Sequence, residues 1–494
     1  MKNLLAIDLG ASSGRAVLGK ISEQSLQFKE IHRFDNCPVQ MGDTLYWDAP
    51  RLLHEIGECI RRGELADRGR LAGIGLDTWG VDFGLLDAKG RLLANPVHYR
   101  DPRTNGIMPR VFKVVPREKI FAATGIQFLQ LNTLFQLAAM KFRNDPALEA
   151  AETLLMMPDL FNYFLSGKKV SELTIATTSQ LYALEQKNWA FDLIESLDLP
   201  ARIFPKIVKP GTILGFLSKD LFPETRRAAP VIAPACHDTG SAVAAVPASS
   251  DDRPGNWAYL SSGTWSLLGL EIKTPIVNEL ALKYNFTNEG GVARTYRFLK
   301  NIAGLWFLQE CRRIWSREDR RELSHQDLIK AAAAARPFAA FINPDHPSFL
   351  NPSHMPAAIL DFCRQTRQAL PESRGAMIRS VLESLALKYR LVRQQLEAVS
   401  GKRIEKLYVV GGGARNDLLN QFTANALGIP VLAGPSEATA LGNLMVQALA
   451  LKILPDLKTA RSLIRKSFPL KIFEPKDHAQ WQDAFGKFEL GVRA

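Results

Sequence analysis

An apolar strand, a turn of glycine and small hydroxyl residues, and a second apolar strand occur twice in this chain, far apart. The first copy runs from Leu4 to Leu9, breaks at Gly10 with Ser12, Ser13 and Gly14 following, and resumes over Ala16 to Ile21. The second spans Trp257 to Leu270, with Ser261-Ser262-Gly263-Thr264 at its turn. Each reads as a β-hairpin, because β-prone runs joined by turn residues pair most simply with each other. A repeated hairpin predicts two similarly built halves. Their boundary falls near residue 248, at the start of the polar loop Ala248 to Asn256, giving domains 1–247 and 248–494. The length of 494 residues agrees, since one domain usually holds ~100–200.

Around the hairpins, strands alternate with helices. Gly73 to Leu76 reads as a strand leading into Asp77-Thr78-Trp79-Gly80, and Val81 to Leu86 continues after it. Ala150 to Ser166 predicts a helix with Leu154, Leu155, Met157, Leu160 and Phe161 on one face. The strand-like approach Ala229 to Pro234 ends at Ala235-Cys236-His237-Asp238-Thr239-Gly240. Near the C-terminus, Met377, Val381, Leu385, Val392 and Leu396 form a helical stripe that stops at Gly401. Leu407 to Val410 follows as a strand, Gly411-Gly412-Gly413 as its turn, and Asn416 to Leu427 as a helix closed by Gly428. This alternation predicts an α/β fold.

Composition narrows the function classes. Apolar residues make up 46% and charged residues 23%, as in globular proteins with a sizeable core. The net charge of +12 arises from 62 Lys and Arg scattered among 50 Asp and Glu, without a basic block. That describes a solvated surface able to attract anionic substrates rather than a nucleic-acid interface. The cysteines (Cys37, Cys59, Cys236, Cys311 and Cys363) are five in number and far apart, which predicts reduced thiols. No apolar run approaches ~18 residues and no secretory leader opens the sequence, so no membrane partner and a cytoplasmic location are expected.

The first hairpin turn contains Asp8, Gly10, Ser12, Ser13, Gly14 and Arg15. Backbone N–H groups and hydroxyls in such a turn can cradle phosphate. A carboxylate at the end of the preceding strand is placed to hold Mg²⁺, directly or through water. An ordinary hairpin turn with an exposed Asp fits equally well. The glycine triplet 411–413 permits close approach of a nucleotide, or is simply a tight connection. Trp79 reads as core or as an apolar wall for a sugar. Cys236 and His237 make a poor nucleophile–base pair, because neighbours on an extended strand face opposite ways. No G-x-x-x-x-G-K-[ST] occurs, so a nucleotide would need a scaffold other than the P-loop.

The order of these elements, hairpin, Asp-bearing strand end, hairpin, glycine-rich strand-to-helix turn, is that of actin-like ATPases. More specifically, the chain resembles the FGGY carbohydrate kinases over nearly its whole length. The matching blocks include AIDLGASSGR (6–15), LDTWGVDFGLLD (76–87), CHDTGSAV (236–243), YLSSGTWSLLG (259–269) and VVGGGARNDLLNQF (409–422). The resemblance implies two actin-like (ribonuclease H-like) domains with a nucleotide and sugar cleft between them. The N-terminal domain would bind mainly sugar and the C-terminal one mainly nucleotide. The DTWGVDF, HDT and SSGTWS blocks imply ATP-dependent phosphorylation of L-rhamnulose at its 1-hydroxyl. Carried over by position, Ala11, Ser12, Ser13, Gly14, Arg15, Thr264, Gln309 and Gly412 would contact ATP. Gly80, His237, Asp238, Thr239 and Asn301 would contact the sugar, with Asp238 as the base and Asp8 toward Mg²⁺. Some members carry a Cys after the glycine triplet; Ala414 stands there in this chain, so no disulfide is carried over. A sister kinase of L-fuculose or another ketose, and a non-catalytic actin-like switch, are the rival expectations.

Overall fold

The computed structural model describes residues 1–493 except 68–69, 220, 223–228, 250–251 and 253–254. The predicted loop Ala248 to Asn256 therefore lies partly outside the described residues. The chain forms two compact units: residues 1–250, 271–298 and 438–468 make the first, and residues 251–270, 299–437 and 469–494 the second.

The first unit is built on a sheet of β1 (Lys2–Leu9), β2 (Ser13–Ile21), β3 (Leu26–Asp35), β4 (Gly73–Thr78), β5 (Thr212–Phe216) and β6 (Pro230–Ala233). Its order is β5-β6-β4-β1-β2-β3. The β1–β4 and β4–β6 pairs are parallel, and the outer pairs antiparallel. Leu4, Leu5, Ala6 and Ile7 are wholly buried, as expected of a continuous apolar run in a central strand.

The second unit contains β7 (Trp257–Ser262), β8 (Trp265–Ile272), β9 (Lys406–Val410), β10 (Val431–Ala433) and β11 (Lys471–Phe473), in the order β8-β7-β9-β10-β11. Here too an antiparallel hairpin, β7–β8, leads to two parallel pairs, β7–β9 and β9–β10, and then to an antiparallel edge, β10–β11. This matches β2-β1-β4-β6-β5 in spatial order and strand direction, so the repeated hairpin marks two similarly built sheets. The stripe from Met377 lies on the helix Arg374–Ser400, ended by Gly401 at φ 65°. Asp417–Leu427 is likewise ended by Gly428 at φ 65°.

Two readings of the sequence need correction. Residues 150–166 are not one helix: Thr153–Met156 is a strand paired antiparallel with Phe83–Leu86, and the helix is Met157–Ser166. Every residue from Leu154 to Asn162 is buried, so the apolar pattern could not separate a buried strand from a helix; Pro158 in the first turn marks the break. The strand expected from Val81 starts only at Phe83, because Val81 turns the chain with φ 69°.

Candidate active site

In the first unit, the turn after β1 is closed by the Gly10 N–H donating to the Ser13 carbonyl at 2.9 Å. Asn36 steadies it by donating from Nδ2 to the Gly10 carbonyl at 2.9 Å. Gly14 leaves room for the Phe34 ring, which a Cβ there would meet at 2.2 Å and force to shift. Ser12 is exposed, with Ala11 and Ser13 part-exposed beside it. Arg15 folds back on Asp8, donating to Oδ2 from Nε at 2.9 Å and from Nη2 at 2.6 Å. Asp8 is thus an ion-pair partner and not the exposed turn carboxylate of the ordinary-turn reading.

Register places Asp77 directly opposite Asp8 on the parallel strand β4. Asp77 is fully buried; its Oδ2 accepts from Asn443 Nδ2 at 2.6 Å, and its Oδ1 has no partner among the described residues. Burial, and then the charges of Asp8 and Asp238, push its carboxyl well above the usual range. Asn443 comes from the helix Ala438–Ala450, which closes on the sheet through Gln447 Nε2 and the Leu5 carbonyl, 3.0 Å apart. Gly75 leaves room for this helix, since a Cβ there would meet Asn443 Oδ1 at 2.4 Å.

Asp238 does not sit on a strand end. β6 stops at Ala233, and Asp238 opens the short helix Asp238–Ala244 with His237 as its N-cap. Its Oδ1 accepts from the Thr239 N–H and from Thr239 Oγ1, the latter at 3.0 Å. None of the described residues donates to Oδ2, and 31% of the side chain remains open to solvent. The surrounding protein raises its pKa above the ordinary value, first by desolvation and further through the charge of Asp8. Thr239 is buried, and His237 turns Nε2 toward Asp238 Oδ1 at 3.4 Å. Gly80 approaches from the other side: a Cβ there would lie 3.3 Å from His237 Nε2. Gly80, His237, Asp238 and Thr239 are therefore one cluster.

Buried groups far along the chain hold this cluster. Glu172 accepts from the Cys236 N–H at 3.0 Å and from Thr174 Oγ1 at 2.5 Å. Thr174 Oγ1 in turn accepts the His237 N–H at 3.1 Å. Behind the imidazole lie Arg297, wholly buried, and Glu289. On the Gly80 side, the Val81 N–H donates to Thr178 Oγ1 at 3.2 Å and stabilises a left-handed conformation that is costly for a β-branched residue. Asp82, next in sequence, accepts from the indoles of Trp47 at 2.6 Å and Trp79 at 3.0 Å, and from Gln136 at 2.9 Å. Burial raises Asp82 to about 6 against these hydrogen bonds. Trp79 is only 5% exposed and packs 4.0 Å from Trp47, which makes it core rather than a sugar wall. Cys236 is buried and its thiol is pushed well above the usual range by desolvation, which removes it as a nucleophile. No residue pattern announced Glu172, Glu289, Arg297 or Asn443; each is an ordinary polar residue until the fold buries it.

In the second unit, Thr264 Oγ1 donates to Gln309 Oε1 at 3.1 Å. The helix Trp306–Glu318, which carries Gln309, docks on the hairpin turn through the Leu305 N–H and the Gly263 carbonyl at 2.9 Å. The glycine triplet divides by role. A Cβ on Gly413 would fall 2.0 Å from Ser262 Oγ, and Gly411 adopts φ 82° against the Ser262 carbonyl. Gly412 alone faces open space and is exposed. Asn301 lies part-exposed on the strand Tyr296–Ala303.

For a divalent cation, no group of three or more His, Cys, Asp or Glu among the described residues is arranged to bind it unaided. Mg²⁺ commonly takes one or two carboxylates and completes its shell with water and phosphate oxygens. Asp8 beside the unpartnered Asp77 Oδ1 fits such a partial set.

The whole chain has known relatives. Residues 3–245 match the model described as "FGGY family of carbohydrate kinases, N-terminal domain", and 258–451 its C-terminal counterpart. A rhamnulokinase from Bacteroides thetaiotaomicron is 47% identical over 494 residues, covering 100% of both chains. One from Bacillus subtilis is 41% identical, covering 96% of this chain and 95% of its own. Among solved structures, a ligand-bound xylulose kinase from Lactobacillus acidophilus aligns with a TM-score of 0.80 at 16% identity, covering 99% of this chain and 97% of that one. Plasmodium falciparum glycerol kinase with ADP aligns at 0.76 and 14% identity, over 100% and 98%.

Proposed function

This chain belongs to the FGGY family of carbohydrate kinases, and from that premise we propose that it uses ATP to phosphorylate L-rhamnulose at the 1-hydroxyl. The observation that carries the choice of sugar is full-length identity of 41–47% to relatives named rhamnulokinase. Asp238 is assigned as the base: Thr239 holds Oδ1, so Oδ2 can take the proton of the acceptor hydroxyl as it attacks the γ-phosphorus. Gly80, His237, Thr239 and Asn301 are assigned to the sugar. Ala11, Ser12, Ser13, Gly14 and Arg15 are assigned to ATP, as are Thr264, Gln309 and Gly412.

Phosphoryl transfer depends on positioning and charge stabilisation more than on covalent chemistry. The N–H groups and hydroxyls of the Gly10–Gly14 turn, and the Thr264 hydroxyl, are suited to phosphate oxygens. Mg²⁺ accompanying ATP would supply charge neutralisation, with Asp8 as its protein carboxylate. We take 1–247 and 248–494 as the sequence domains, the former chiefly for sugar and the latter chiefly for nucleotide. The five free cysteines suit a cytoplasmic enzyme.

A coupled ADP-release assay over about a dozen ketoses and polyols tests this reading, which predicts the highest kcat/KM for L-rhamnulose. A higher value for L-fuculose or another ketose would reassign the substrate. ATP turnover indifferent to every sugar would favour a nucleotide switch instead.

A further inference from the structure

The imidazole of His237 has a buried environment that the transfer reaction does not itself require. Its Nδ1 lies 3.2 Å from both Nη1 and Nη2 of Arg297. The guanidinium is fully buried and fixed on its other sides: Nε donates to the Gly290 carbonyl at 2.9 Å, and Nη1 pairs with Glu289 Oε2 at 3.0 Å. Glu289 Oε2 is also 3.2 Å from Nδ1. Gly290 is held in turn by its own N–H donating to Thr177 Oγ1 at 2.9 Å. The guanidinium is therefore clamped and cannot swing away from the ring.

A guanidinium has donors and no acceptor. A proton on Nδ1 would point into two N–H groups, whereas a bare Nδ1 accepts from them; the one acceptor facing Nδ1, Glu289 Oε2 at 3.2 Å, lies nearer to Arg297 Nη1, at 3.0 Å, and is engaged by that cation. We propose that Arg297, neutralised by Glu289, is a positioning residue that fixes the neutral His237 imidazole in the tautomer with its proton on Nε2. That nitrogen faces the Asp238 carboxylate and Gly80, so the tautomer turns His237 into a hydrogen-bond donor toward the acceptor sugar. A proton on Nδ1 would leave a lone pair there, and a sugar oxygen would meet an acceptor instead of a donor. A buried mismatch of that kind costs more than a missing contact. Arg297 thus acts on the sugar through His237 without touching it.

The inference rests on placing His237 at the sugar, but its first test does not. Protein labelled with ¹⁵N-histidine is examined without substrate by long-range ¹H–¹⁵N correlation, the His237 ring being assigned by its loss in His237→Gln. An Nε2–H pattern with a bare Nδ1 is expected; an Nδ1–H pattern would overturn the proposal. Kinetics with the best acceptor from the sugar panel then compare wild type with Arg297→Lys, which keeps the charge but loses the paired donors. The KM for sugar should rise about tenfold, with the KM for ATP unchanged. An unchanged KM for sugar, or equal rises for both substrates, would also overturn it. If Arg297→Lys does not fold, the wild-type spectrum alone decides. A different preferred sugar would revise the substrate and leave the tautomer measurement standing.

Discussion

Replacing Asp238 by Asn should leave nucleotide and sugar binding in place and lower kcat by about two to four orders of magnitude, the usual scale for a general base. Single-turnover kinetics with separate binding measurements check this, and near-normal turnover would remove Asp238 from the role. The pH profile gives a second expectation. Desolvation raises the Asp238 pKa, so the folded enzyme protonates this carboxylate at a higher pH than an ordinary Asp. The acid limb of kcat/KM should therefore fall above the ~3.9 of an unperturbed side chain. An acid limb at or below that value would contradict the desolvation argument. Asp238 itself was legible in the sequence through the HDT block, but its protonation behaviour was not. Asp8, which adds to the rise, is distant in sequence and reaches Asp238 only through the fold.

Among the elements, the strand-to-helix turn at 411–413 shows what residue type can and cannot say. Three glycines announce that something comes close to the backbone, and two causes were open. Packing answers for two of them: Gly413→Ala drives a Cβ into buried Ser262 and should destabilise the protein by about 1–3 kcal/mol. Gly412→Ala meets open space, so thermal unfolding should be unchanged while the KM for ATP rises. Equal effects of the two substitutions on melting temperature would refute the division of roles. The region 150–166 failed for a related reason. A stretch buried on all sides loses the periodicity that separates strand from helix, and only pairing with Phe83–Leu86 decides it.

Across the whole molecule, several carboxylates are buried in the first unit, and stability should reflect them. Burial raises Glu172 from 4.5 to about 7. The folded state then holds this proton more tightly than the unfolded chain, so its contribution is complete below pH 4.5 and lost as the pH rises through 7. Urea unfolding across that window should show stability declining with pH, with this group supplying up to about 1.4 kcal/mol per pH unit. Glu172→Gln should flatten the decline, and an identical slope in both proteins would contradict it. Residues 1–247 made alone should lack a cooperative unfolding transition, because the first unit also needs 271–298 and the helix Ala438–Ala450. Cooperative melting of that fragment would show that those segments are dispensable.

The sequence by itself determined the α/β class, the repeated hairpin and hence the duplicated sheet, the positions of Asp238 and of the glycine- and hydroxyl-rich turns, and the family. Those features are local: an apolar run, a turn residue or a short block carries them wherever the chain goes. The tertiary structure alone decided that Asn443 completes Asp77, that Glu289 and Arg297 stand behind His237, that Trp79 is core, and which glycine of the triplet is open. Each depends on desolvation or close approach between residues distant in sequence. A polar side chain carries no mark of such a role until the fold removes the water around it.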